Sequence, residues 1–339
     1  MIQKRLFPVI LLIVSTTLII SSCKQEKEKS AVSRSIGNTS EILVVVQNEN
    51  QWNGKIGKAI RDYFGEAQYG LPQEEPLFKL SHITVNSLND MFKKHRNLLI
   101  VDINPKAEKA NVEFVKNHWA KPQRVFKITA PDAGAFIKTF DAYKKRMMQE
   151  YNQAERERIL TVFRPDNDVK VVEKLTKNFG LKMIIPKGFY VAKEKPGFMW
   201  IRKEAVSYSQ GLVIISVPYE DTAQFSRKSI LARTADYLMK YVPGPTQGSF
   251  MSVDMKNMPP KATVVTDFFT DYAVEIRGLW RVEHDFMGGP FVSYTFSDWR
   301  KNRIITIFGY VYQPNKAKRN LLKQMEAIIY SVRFYDGKK

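Results

Sequence analysis

The chain has 339 residues, 44% of them hydrophobic, with 53 Lys and Arg against 34 Asp and Glu and a formal net charge of +19. That balance excludes a disordered polymer and gives enough apolar side chain for two domains with cores of their own. One cysteine, Cys23, excludes a disulfide framework and a cysteine-built metal site.

The N-terminus explains that cysteine. Lys4 and Arg5 are followed by an apolar run over residues 6–20 and then by Ile20-Ser21-Ser22-Cys23, the pattern of a secretory signal ending in a lipobox. The run is too short, and too interrupted by Pro8, Ser15, Thr16 and Thr17, for the roughly 18 or more apolar residues of a membrane span. Residues 1–22 therefore read as a signal peptide and Cys23 as the lipidated residue. Its thiolate would take a diacylglyceryl group as a thioether, and several acyl chains at about 0.8 kcal/mol per buried CH₂ give a lasting anchor. Residues 23–40 read as the lipidated cysteine and a flexible polar tether, a coil of roughly 20 to 25 Å.

Lys24 stands where an aspartate would retain a lipoprotein at an inner membrane, so the expectation is an outer-membrane lipoprotein facing the periplasm, a cell-surface position being the alternative. Without residues 1–22 the chain loses Lys4 and Arg5 and no acid, leaving +17. In an envelope such an excess favours acidic lipid head groups, lipopolysaccharide phosphates or peptidoglycan carboxylates rather than nucleic acid, with another envelope protein also open as a partner. The alternative is a solvated, mixed-sign surface with a surplus of lysine.

Residues 41–163 alternate strand and helix. Strands are expected at 41–46, 78–85, 97–103 and 124–130, and helices at 54–64, 87–95, 106–119 and 131–159. The last carries Phe136, Phe140, Tyr143, Met147 and Tyr151 at spacings of three and four, a stripe of core or domain-interface contacts. The expected fold is an α/β domain on a largely parallel sheet.

The apolar pattern stops at Arg164-Pro165-Asp166-Asn167-Asp168, a turn cluster and the expected domain boundary. Asp168 caps a helix over 169–179 that Gly180 ends. Strands follow at 181–185, 189–193, 198–203 and 211–218, a helix at 226–241, and a Pro-, Gly- and Met-rich loop at 242–260. Then come strands at 263–269, 272–282, 291–296 and 303–312, and a closing helix at 315–330. In 272–282 Trp280 and Val282 share one face, and Glu275, Arg277, Arg281 and Glu283 the other. Residues 168–335 thus read as an α+β domain on a mainly antiparallel sheet, and the final helix running into 328–334 looks like the PsbP-like sandwich.

Gly70-Leu71-Pro72-Gln73-Glu74-Glu75-Pro76, His95-Arg96-Asn97, Pro218-Tyr219-Glu220-Asp221, Arg277-Gly278-Leu279-Trp280 and Met287-Gly288-Gly289-Pro290-Phe291-Val292 together resemble an uncharacterised Bacteroidetes-type lipoprotein family with a domain of unknown function. The resemblance spans about residues 42–334 and implies no activity, cofactor or catalytic residue.

Three roles stay open. A binding or scaffold protein for an envelope glycan or protein would use Arg277, Trp280, Arg281, Trp299 and Arg300, since aromatic rings beside guanidinium groups suit sugars and anionic groups. The bland alternative sends Trp280 to the core and pairs the arginines with Glu275 and Glu283. An envelope hydrolase would instead use Glu275 or Glu283 as its carboxylate. A small-anion sensor would use Gly54, Gly57 and Lys58 between a strand and a helix, although Ala59 stands where a P-loop needs Ser or Thr. His82, His95, His118 and His284 show no zinc spacing, Glu283-His284-Asp285 reads as a solvated turn, and no cofactor is expected.

Overall fold

The computed structural model describes residues 33–335 and 337. The expected signal peptide, the lipidation expected at Cys23 and the expected tether as far as residue 32 lie outside them. From Ser33 onward the chain is one compact unit.

The first half is a five-stranded sheet in the order β2-β1-β3-β5-β4. β1 (Glu41–Val46), β2 (Lys79–Thr84), β3 (Asn97–Ile103) and β5 (Arg124–Ala130) run parallel, and β4 (Asn111–Lys116) closes the edge antiparallel. Every residue of β1 is buried, because helices cover the face that carries Ile42, Val44 and Val46. These are α1 (Glu49–Asn53), α2 (Lys55–Phe64) and the long α4 (Ala133–Phe163), while α3 (Asp90–Lys93) is a single turn.

Three expectations are corrected here. The helix expected over 106–119 is instead the hairpin strand β4. Val112 and Phe114 alternate inward, and Phe114 stacks on Phe126 at 4.4 Å between ring centres, which favours the strand at a sheet edge. The tether expected to reach residue 40 is tied down from Ser33, since Lys121 donates to the Ser33 carbonyl and Arg96 to that of Ile36. There Gly37, at φ +103°, fits against the His95 ring, which an added Cβ would meet at 2.5 Å. Of the stripe on α4 expected to make core or domain-interface contacts, Phe136, Phe140, Met147 and Tyr151 are buried, whereas Tyr143 is exposed.

α5 (Val169–Phe179) opens the second half, capped by Asp168 and closed by Gly180 at φ +61°. An antiparallel half-barrel sheet follows in the order β10-β12-β13-β14-β9-β8-β7, with β11 also on β12. Its strands are β7 (Tyr190–Lys195), β8 (Phe198–Glu204), β9 (Ser209–Pro218), β10 (Phe250–Asp254), β11 (Lys261–Val265), β12 (Ala273–Glu283), β13 (Gly288–Asp298) and β14 (Arg303–Tyr312). β6 (Leu181–Lys182) and β15 (Arg333–Phe334) form a small separate pair. β10 falls inside the stretch expected to be loop, recruited by five consecutive pairings with β12. α5 and α7 (Arg319–Tyr330) cover one face of the sheet, and α6 (Arg227–Tyr241) covers the other. β14 lies between two neighbours and under helices on both sides, so residues 304–311 are all buried.

Loop 68–76 joins the halves. Leu71 enters the second core, Gly70 at φ +89° lies against Gly278, and the Glu75 carboxylate accepts from the Lys318 amide at 2.6 Å and the Arg319 amide at 3.2 Å at the start of α7. α4 completes the junction. Arg156 holds Asp267 at 3.0 Å and Glu326 at 3.5 Å, and Lys323 donates to Asn152 at 3.2 Å.

Candidate functional site

β12 and β13 meet in a tight turn at one end of the second sheet. His284 takes the left-handed conformation there (φ +65°), and Asp285 holds the turn by accepting from the Phe286 amide and, at 3.1 Å, from the Thr246 hydroxyl. That geometry leaves Phe286 at the tip, 106% exposed. Immediately beyond, Gly289 lets two strands and an indole converge. A Cβ would lie 2.1 Å from the Val311 carbonyl and 3.2 Å from Trp280 Nε1, and the Trp280 N–H donates to that carbonyl at 3.1 Å.

Two cavities flank this hairpin. An outer cleft of about 560 Å³ is bordered by Pro72 from the junction loop, Asp254, Arg281, Glu283 and Phe286. An inner pocket of about 320 Å³ is walled by Trp200, Trp280 and Tyr310, with Met251, Val282 and the 243–245 loop around them. They share Trp280, Val282 and Met287 along a common edge, while Arg281 and Glu283, on the other face of β12, border the outer cleft alone.

In the outer cleft Arg281 donates to Glu283 at 2.8 Å. Burial works against the charge on Asp254, but hydrogen bonds from Asn257 and Lys256 and the nearby Arg281 hold its carboxyl below the usual range. In the inner pocket Trp200 Nε1 donates to the Tyr310 hydroxyl at 2.9 Å, and burial pushes that phenol up to about 12. It is therefore a neutral O–H donor at any physiological pH. Arg202 lies over the Trp200 ring, 4.8 Å from its centre, and pairs with Glu204.

The residues expected to form one basic aromatic patch do not come together. Arg277 and Trp280 stand on opposite faces of β12. Arg277 is committed to Glu275 at 2.8 Å and to Glu326 at 2.6 Å. Burial would discharge it, yet these two carboxylates outweigh burial and keep its guanidinium well above its ordinary range. Trp280 is buried, as the bland alternative has it. Arg281 and Trp299 sit at opposite ends of the β12–β13 hairpin, and the eleven residues of β13 at about 3.4 Å each put about 35 Å between those ends. Trp299 is 78% exposed, while Arg300 pairs with Asp298 at 3.0 Å and lies over the Phe334 ring. Of the five, Arg281 and Trp280 alone border the cavities.

The carboxylates considered for hydrolysis are engaged as well, Glu275 by Arg277 and the Tyr294 hydroxyl, and Glu283 by Arg281. Gly54 lies between α1 and α2 and Gly57 in the first turn of α2, so a helix and not a strand precedes them. Cβ atoms there would meet the Asn50 carbonyl at 2.7 Å and the Trp52 carbonyl at 1.8 Å, so these glycines allow α1 and α2 to abut. Lys58 is exposed and pairs with Asp62. Of the histidines, His82 stacks on Trp52, and His95 is buried with its Nδ1 3.0 Å from the Asn97 carbonyl. Among the described residues no group of three or more His, Cys, Asp or Glu could hold a metal ion, and no helix is long and apolar enough to cross a membrane.

Trp200, Arg202 and Tyr310 are the residues that the linear reading missed. Trp200 and Tyr310 are 110 positions apart and meet only because β8 and β14 both flank β9. The one local signal was Gly211 on that intervening strand, where a Cβ would strike the Tyr310 ring at 2.3 Å.

No curated protein matches this sequence. Among solved structures, a mutant of the protein Mog1 aligns with a TM-score of 0.30 and 9% identity over 47% of this chain and 92% of its own. The lipid transfer and protein localization domain of human StarD13 (DLC2) aligns with a TM-score of 0.22 and 8% identity over 48% of this chain and 92% of its own. Family models match both halves: residues 35–164 match Domain of unknown function (DUF8532), and residues 168–331 match Domain of unknown function (DUF4837).

Proposed function

We propose that this is a non-enzymatic lipoprotein of the outer membrane, anchored through Cys23 and facing the periplasm, that binds an envelope glycan at the loop end of its second half. The finer readings, a PsbP-like sandwich for the second half and a Bacteroidetes-type lipoprotein family for the chain, belong to the same proposal. The observation that carries the glycan reading is the wholly exposed Phe286 beside the cleft bordered by Arg281 and Glu283. A ring that packs on nothing in its own chain, next to a guanidinium and a carboxylate, suits a partner with both apolar C–H faces and polar edges.

Sedimentation of the full-length protein with isolated peptidoglycan tests this. Phe286→Ser and Arg281→Ala should each lower retention about tenfold, the scale of one lost interface anchor. Unchanged retention in both variants refutes the site. Mass spectrometry of the native protein tests the anchor, which predicts a diacylglyceryl thioether and an acylated amino group at Cys23. An unmodified thiol or an uncleaved leader would refute it.

A further inference from the structure

We infer that the inner pocket recognises the acetamido group of an N-acetylated sugar, with the Tyr310 hydroxyl donating to the acetyl carbonyl. The inference rests on the glycan-binding reading and names the group that is recognised. Tyr310 is 5% exposed, and its hydroxyl accepts from Trp200 but donates to no group among the described residues. A buried O–H with an unspent proton at the wall of a cavity costs free energy until an acceptor arrives.

The rest of the lining states which acceptor fits. Trp280 has spent its N–H on Val311 and Trp200 has spent its own on Tyr310, so the indoles offer apolar surface and no further donor. Met251 and Val282 add apolar wall. A bare hexose would bring several hydroxyls into a space where Tyr310, Ser209 and Arg202 are the polar side chains of the lining, fewer partners than those hydroxyls need. An acetamido group brings one carbonyl for the Tyr310 proton and a methyl for the apolar side, while its N–H stays with the pyranose ring at the open mouth beside the Arg202–Trp200 stack, where water can accept from it. The volume of about 320 Å³ equals about eleven waters at about 30 Å³ each, room for one such residue and not for a chain of them.

The experiment uses the full-length protein in a zwitterionic, sugar-free detergent, titrated with N-acetylglucosamine and, separately, with glucosamine. Tryptophan fluorescence and the Trp200 indole N–H resonance are followed. N-acetylglucosamine should shift that resonance saturably, and glucosamine should not. Tyr310→Phe, which keeps the ring and removes the donor, should weaken the response by about fivefold or more, the scale of one hydrogen bond. Equal responses to both sugars, or an unchanged response in Tyr310→Phe, overturn the inference. No response to N-acetylglucosamine with peptidoglycan retention intact refutes the pocket and leaves glycan binding standing, whereas loss of both refutes both.

Discussion

Replacing Glu326 by Gln tests how the two halves are held together. Glu326 sits on α7 with Arg277 of β12 at 2.6 Å on one oxygen and Arg156 of α4 at 3.5 Å on the other, close to Lys323. Burial alone would raise its carboxyl, but Arg277, Arg156 and Lys323 overcome that and lower it from 4.5 to about 2. A carboxyl titrating that far down in the folded chain contributes about 3 kcal/mol of stability, at about 1.4 kcal/mol for each tenfold change. Because the folded value is depressed, the contribution is complete above about pH 4.5 and is lost as the pH falls through about 2. Gln keeps the shape and removes the charge.

In urea unfolding of the compact unit Ser33–Lys339, followed by tryptophan fluorescence, the variant should be about 3 kcal/mol less stable at pH 7. With a slope of about 3 kcal/mol per molar for a chain of this size, the midpoint should fall by about 1 M. Near pH 2 the two proteins should converge. The same deficit at pH 7 and pH 2 would show that the loss is one of packing and not of charge, and no deficit at pH 7 would refute the stabilising role of the network.

Two further outcomes follow from the same geometry. Gly289→Ala places a methyl 2.1 Å from the Val311 carbonyl, so β13 and β14 must part, and the loss should be about 2 to 4 kcal/mol in the same urea assay. A loss under about 0.5 kcal/mol would show that the strands yield freely there. Lys323 is buried over the Phe78 ring, and burial lowers its ammonium from 10.5 to about 8 despite Glu326 and Glu155. Its contribution is therefore complete above about 10.5 and declines as the pH falls through 8, so Lys323→Met should be neutral or stabilise the protein by about 1 to 2 kcal/mol at pH 7 and gain nothing at pH 11. A clear destabilisation at pH 7 would show that the contacts of Lys323 with Asn152 and Phe78 outweigh its desolvation.

The motifs that stood out in the sequence now have physical reasons. Gly70 and Gly278 meet at the junction of the halves, Glu75 caps α7, Asn97 donates to the Glu41 carbonyl and to Glu155, and Asp221 forms a capping box with Gln224. Most of these residues join elements, which accounts for a motif set without a catalytic signature. Arg277 shows the limit of reading residue types by proximity, because an arginine two positions from a carboxylate and three from a tryptophan looks like a ligand site until α7 brings Glu326 against it.

What the sequence determined by itself was everything carried by local periodicity and capping. The 97–103, 124–130 and 303–312 strands, the 169–179 helix between Asp168 and Gly180, and the alternation along β12 all lie where spacing of apolar residues places them, since those patterns act within one element. Tertiary structure decided the rest. β4 and β10 are strands because a neighbouring edge supplied hydrogen-bond partners that no local window contains. Trp200 reached Tyr310, and Glu326 reached Arg277, only once sheet order and helix docking had closed separations of 110 and 49 residues. A pocket is made of such closures, so its chemistry could not be read along the chain.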